Sequence, residues 1–168
     1  MHEGPARYLL DSSVLFSLHD GHLLSVLWDL HCSWCTTDLI LAEWKTVDTD
    51  ALVRSGLFVV SLSDAEVLEL FRISTGHKRI KPVDLSLFIH ATTRKDCIVL
   101  TGDRRLRALC DGAGIPVHGV LWILDLIHDR RLLSRQELVK ALHAMIARGN
   151  YLPDPDCRER VSQWELEE

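Results

Sequence analysis

A three-layer α/β/α fold with a central, mostly parallel sheet is the class this sequence predicts. Short apolar, β-branched runs alternate with segments whose apolar residues recur at helical spacing, the pattern of a parallel sheet covered on both faces. Hydrophobic residues make up 47% of the 168 and charged residues 26%, a balance that suits a globular chain with an ordinary core. Four acidic residues, Asp11, Glu43, Asp84 and Asp103, stand beside apolar runs where a buried strand ends or its following helix lies.

Tyr8 to Leu10 reads as a short buried strand ending at Asp11, and Ser12 or Ser13 can cap a helix carrying Val14, Leu15 and Leu18. A helix about 22–30 puts Leu23, Leu24, Leu27 and Leu30 on one face. Ser33 to Thr37 is the second strand, and Asp38 is a good cap for a helix holding Leu39, Leu41, Ala42 and Glu43. The β-branched run Leu57 to Leu62 is a third strand, and Ser63 or Asp64 starts a helix that fades at Thr75-Gly76. Pro82 suits the first turn of the next helix, where Asp84 precedes Leu85, Phe88, Ile89 and Thr92 at helical spacing. Cys97 to Leu100 has the composition of a central strand, and Thr101-Gly102-Asp103 turns it into a helix through Cys110. Ile115 to Val117 is a last short strand. Helices about 120–128 and 134–147 follow, the second opening with a capping box, Ser134 to Glu137. From Asn150 the Pro- and charge-rich tail reads as extended. With no internal repeat or low-complexity linker, residues 1–168 are expected to form one domain, with a core about 7–128 and a C-terminal helical extension about 129–168.

The net charge of −5 argues against a nucleic-acid coat protein, which needs a basic surplus. It leaves room for a nuclease, because an acidic metal site contributes negative charges that a bound ion offsets. Most charge runs are solvated faces, but two basic clusters adjoin candidate acids. Lys78, Arg79 and Lys81 precede the helix of Asp84, and Arg104 and Arg105 follow Asp103, so both are candidates to touch phosphates. Five cysteines and no apolar leader point to reduced thiols and a cytoplasmic protein. The lone Cys32-x-x-Cys35 lacks the second pair of a zinc site and sits on a strand rather than at a helix start. No apolar stretch is long enough to cross a membrane.

Carboxylates gathered at one place need a cation. Two of them ~4 Å apart repel by ~4 kcal/mol at an effective dielectric of ~20. Oxygen ligands suit Mg²⁺ or Mn²⁺, whereas zinc would favour Cys and His residues that are not clustered here. Such an ion supports phosphodiester hydrolysis. Taken singly, each acid has a plainer account as a helix cap or a solvated helix residue. It is their joint placement, each after its own apolar segment, that points to a metal site. A strand order bringing the first strand beside Cys97–Leu100 would gather all four.

On these residues the chain resembles the PIN-domain family. The family's first-strand motif matches YLLDSSVL, carrying the first acid to Asp11 and a supporting hydroxyl to Ser13. Its helical hhxxE motif matches LILAEW with Glu43, and DLSLFIHA carries the third acid to Asp84. VLTGD carries Thr101 and the fourth acid, Asp103, nineteen residues after Asp84. The resemblance spans about Tyr8 to Ile127. It implies a metal-dependent ribonuclease acting on RNA and, for a VapC-type toxin, an antitoxin partner. Two features depart from the pattern: Ser13 stands where many members have Asn, and the segment after Leu132 is longer than in minimal toxin-type members.

Two other readings bear comparison. YLLDSSV and IVLTG loosely echo haloacid-dehalogenase-like phosphatases, with Asp11 as nucleophile. The acid–base Asp needed two residues on is Ser13 here, and little chain after Leu100 is left for the other required residues. A catalytically inactive PIN-like module binding RNA or protein is the alternative from another class, and the presence of all four acids argues against it. Helices about 22–30 and 64–73 carry Leu23, Leu27, Trp28, Leu68 and Phe71. Any part of that apolar surface left exposed would serve a homodimer or an antitoxin complex.

Overall fold

Five segments form one sheet: β1 (Arg7–Leu10), β2 (Ser33–Thr37), β3 (Phe58–Val60), β4 (Cys97–Leu100) and β5 (Val117–His118). They belong to a computed structural model that describes residues 6–166. The order is β3-β2-β1-β4-β5, and every pairing is parallel. The sheet expected to be mostly parallel is thus parallel throughout the described residues. Leu9 pairs with both Cys35 and Val99, so the three share one face. Leu10, Trp34 and Leu100 fall on the other, and all six are buried. Burial on both faces explains the nearly continuous apolar strands and makes the architecture three-layer α/β/α. Between β1 and β4 the strand order reverses, and the carboxyl ends of strands at such a reversal are where open α/β sheets bind ligands.

Ten helices occur among the described residues: α1 (Ser12–Asp20), α2 (Leu24–Asp29), α3 (Asp38–Glu43), α4 (Thr49–Ser55), α5 (Asp64–Ser74), α6 (Pro82–Thr92), α7 (Arg104–Gly112), α8 (Val120–Asp129), α9 (Arg135–Ala147) and α10 (Asp154–Leu166). None is long and apolar enough to cross a membrane. The chain divides into two compact units.

The first unit runs to Val14 and resumes over Cys32–His118. Leu9, Cys35 and Val99 join Leu70 of α5, Leu85, Phe88 and Ile89 of α6, and Leu106 and Cys110 of α7 in one core cluster. Every residue from Leu85 to Ala91 is buried, so α6 is a core helix rather than an amphipathic one. Glu66 of α5 is only 5% exposed and is fully engaged. Its Oε2 accepts from the Ser63 backbone N–H at 2.7 Å, while Oε1 accepts from Thr93 Oγ1 and Arg94 Nη1, both at 2.9 Å. These bonds tie α5 to the carboxyl end of α6. Two local expectations need correcting. Thr37, not Asp38, caps α3, its hydroxyl accepting from Ile40 N–H at 3.2 Å. Helix α4 was not expected; Asp48 caps it, accepting from Ala51 N–H at 2.9 Å, and Gly56 ends it at a φ of 125°.

The second unit comprises Leu15–His31 and the chain from Gly119 onward. Its tail contradicts the extended conformation expected after Asn150, because α10 is helical from Asp154 to Leu166. Pro155 is tolerated in the first turn, and Asp154 and Asp156 there favour the positive end of the helix dipole. Cys157 and Trp164, seven residues apart, form the buried stripe. Arg160 grips Asp125 of α8 through Nε at 2.9 Å and Nη2 at 2.7 Å. The apolar surface considered for assembly splits. Leu23 and Leu27 are core residues, whereas in the first unit Leu68 is 71% and Phe71 70% exposed.

Candidate active site

Asp11 leaves the carboxyl end of β1, its backbone N–H donating to Leu100 O of β4 at 3.0 Å. Two hydroxyls then tie it to the turn after β4. Ser13 Oγ donates to Asp11 Oδ2 at 3.0 Å and accepts from Gly102 N–H at 3.0 Å. Thr101 Oγ1 also donates to Oδ2, and it accepts from Asp103 N–H at 3.0 Å. The Ser13 backbone N–H donates to Oδ1 at 3.1 Å. A carboxylate accepts about four hydrogen bonds, so these three leave one lone pair, on Oδ1. Gly102 permits the arrangement, since a Cβ there would lie 3.3 Å from Ser13 Oγ.

Burial pushes the Asp11 carboxyl up. The bonds from Thr101 and Ser13 oppose that rise and the charge of Asp103 adds to it; the net shift is upward. Asp103 caps α7, its Oδ1 accepting from Arg105 N–H at 2.7 Å and Leu106 N–H at 3.0 Å. That commits Oδ1 and leaves Oδ2 for other work. Asp84 lies in the first turn of α6, and Glu43, exposed, at the end of α3.

The acids meet electrostatically at Asp84. Its carboxyl is raised to about 7, first by burial and next by the charge of Asp11; Lys81 pulls it down, and Glu43 and Asp103 push it further up. Asp84 thus feels the charge of the other three acids. Among the described residues no three His, Cys, Asp or Glu side chains stand close enough to grip an ion as they are. The donor set is oxygen alone, the ligand chemistry that hard divalent cations such as Mg²⁺ or Mn²⁺ take. All five cysteines are free. Burial raises the thiols of Cys35 to about 11 and Cys110 to about 12, which keeps them protonated and poor ligands.

Three supporting hydroxyls escaped sequence reasoning. Thr36 Oγ1 donates to Leu10 O at 2.8 Å, next to Asp11, and Thr37 Oγ1 lies 2.7 Å from Ser86 Oγ, two residues after Asp84. A Thr pair ending a buried strand was the available signal. The basic candidates divide. Lys81 is the N-cap residue of α6 and its charge reaches Asp84. Lys78, Arg79 and Arg105 line a common groove, whereas Arg104 is exposed at the start of α7 and does not line it.

The crowded acids predict a pH-dependent stability in chelator. An Asp84 whose folded pKa of about 7 exceeds its ordinary 3.8 binds a proton that the unfolded chain does not, so stability falls as pH rises between those values. In EDTA, Asp84→Asn should raise the melting midpoint at pH 8 by a few degrees, about 1 kcal/mol after solvent screening, and change it little near pH 4. Equal melting of variant and parent at pH 8 would show that no repulsion is stored there.

A family model described as a PIN domain matches residues 7–166. No curated protein shows significant similarity to the chain.

Proposed function

Because the chain belongs to the PIN-domain family, a family of nucleases, we propose that it is a divalent-metal-dependent endoribonuclease. Asp11, Glu43, Asp84 and Asp103 would hold Mg²⁺ or Mn²⁺. The observation that carries this reading is the crowding at Asp84, whose carboxyl is raised to about 7 first by burial and then by the charges of Asp11, Glu43 and Asp103, with Lys81 opposing. When bound, such an ion acidifies water for attack on phosphorus and offsets charge on the leaving oxygen.

The chain's own residues position that chemistry. Ser13 and Thr101 fix the Asp11 carboxylate and leave one lone pair on Oδ1, which would be its ligand atom. The cap on α7 commits Oδ1 of Asp103 and leaves Oδ2, which would be its ligand atom. Glu43, the most exposed of the four acids, closes the set from α3. A toxin role with an antitoxin or a second copy as partner draws support from Leu68, Phe71 and Phe58, which are 71%, 70% and 64% exposed. A cytoplasmic location fits the RNA substrate.

The test is an RNA digest with the purified chain. Internal cleavage should appear with Mn²⁺ or Mg²⁺ and disappear in EDTA. Cleavage that persists in EDTA would overturn the metal mechanism. RNA binding with neither cleavage nor heat on Mn²⁺ titration would make the chain an inactive binding module.

A further inference from the structure

A groove of ≈ 620 Å³ opens beside α7, between that helix and the loop 75–80. Arg105, Ala108 and Leu109 line the helix side, since residues three and four apart share a helical face; Lys78, Arg79 and Ile80 line the loop side. Among the described residues no ion pair engages Lys78, Arg79 or Arg105. In a chain of net charge −5, three unneutralised cations around one apolar floor are complementary to a polyanion that also carries flat apolar groups.

The groove is joined to the acid site twice. Its helix begins at Asp103, which caps α7 two residues before Arg105. Its loop leads into Lys81, which holds the N-cap position of α6 and whose charge reaches Asp84. From Arg105 to Leu109 the helix face extends about 6 Å along the axis. A chain held on that face therefore leads directly away from the carboxylates.

We propose that this groove is the path of a single RNA strand next to the bond being cut. Lys78, Arg79 and Arg105 take successive phosphates, and Ile80, Ala108 and Leu109 form the floor under an unstacked base. The proposal rests on the ribonuclease reading and adds to it the strand's route and form. An A-form duplex keeps its bases stacked and away from such a floor, whereas a single strand can splay one out. An apolar floor does not read base edges, so grip comes from phosphates and is tolerant of sequence.

The test is fluorescence anisotropy of short labelled oligoribonucleotides on the full chain in EDTA, across a salt series. Each phosphate contact contributes about −0.7 to the slope of log affinity against log salt, so a variant combining Lys78→Ala, Arg79→Ala and Arg105→Ala should flatten it by about 2. Its affinity should fall at least about tenfold, and the parent should bind different homopolymers within a few-fold of one another and a duplex of equal length more weakly. Lysine acetylation of the unmodified protein gives a second readout that no folding defect can mimic: the oligonucleotide should protect Lys78. An unchanged slope, an unprotected Lys78, or a parent that does not bind RNA overturns the proposal. So does a variant that loses an acidic peptide but keeps RNA, which would assign the groove to a protein partner. Because binding is read without metal, failure of the ribonuclease reading appears separately, as absent metal-dependent cleavage while the slope still changes.

Discussion

Asp103→Asn should lower metal-dependent RNA cleavage about a thousandfold while leaving the melting midpoint within a few degrees of the parent. On the proposed mechanism Asp103 would perform two tasks with two oxygens. Oδ1 caps α7 by accepting from Arg105 and Leu106 N–H, and Asn caps helices as well as Asp does. The substitution therefore keeps the helix start and removes only the negative charge that Asp103 would offer the proposed ion. Several kcal/mol of charge stabilisation depend on the ion's grip, and each 1.4 kcal/mol is tenfold in rate. Asp11→Asn is less discriminating. Oδ2 of Asp11 accepts from two hydroxyls whose own oxygens already accept backbone N–H groups, so an amide nitrogen there would face donors and lower stability as well as rate. Rate and melting midpoint measured together separate the outcomes. Full activity in Asp103→Asn would reduce that residue to a helix cap.

Glu66→Ala should destabilise the protein by about 3 kcal/mol at pH 7, the low end for breaking a buried ion pair because Arg94 keeps partial contact with water. Burial alone would raise the Glu66 carboxyl. The bonds from Ser63 N–H, Thr93, Arg94 and the Ser63 hydroxyl overcome that and hold it at about 2, against an ordinary 4.5. A depressed folded pKa contributes stability that is complete above the unfolded value and is lost as pH falls through the folded one. The gap between parent and variant should accordingly be full above pH 4.5 and close towards pH 2. Denaturant titrations at neutral and acid pH measure it. Glu66 bonds to residues at the carboxyl end of α6 and Asp84 lies in the first turn, about 15 Å of helix apart. Cleavage at a permissive temperature should survive the change. A gap independent of pH would mean that lost packing, not the ionised carboxylate, carries the cost.

Strands, helices and their caps are local matters, and most were legible in the sequence. Short apolar, β-branched runs place β1 to β5, and helical spacing and caps place α5 to α9, within a few residues, because strands buried on both faces read as continuous apolar segments and helix faces follow from backbone geometry. Ser134 begins its helix as its capping box indicates, and of the two candidates Ser63 and Asp64 it is Ser63 that caps α5. The failures are local signals that competed. Pro153, Pro155 and dense charge disguised α10, whose stability comes from burying Cys157 and Trp164 and from the grip of Arg160 on Asp125. Helix α4 has a single buried residue, Leu52, too little for a periodic pattern to register.

By itself the sequence determined the fold class, the four acids beside apolar runs, and the family pattern into which their order falls. Which residues would share a field was decided only by the tertiary structure. Asp11 and Thr101 are ninety residues apart, and their bond exists because β1 pairs with β4 in the order β3-β2-β1-β4-β5. The hydroxyls of Thr36 and Ser86 and the small Gly102 matter for the same reason. Each acts on a partner supplied by another element, and no local propensity specifies such a partner. The elevated carboxyl of Asp84 is the clearest case. A first-turn aspartate is ordinarily favoured as an anion by the helix dipole; burial, and with it Asp11, Glu43 and Asp103 brought in by long-range strand pairing and helix packing, reverses that preference.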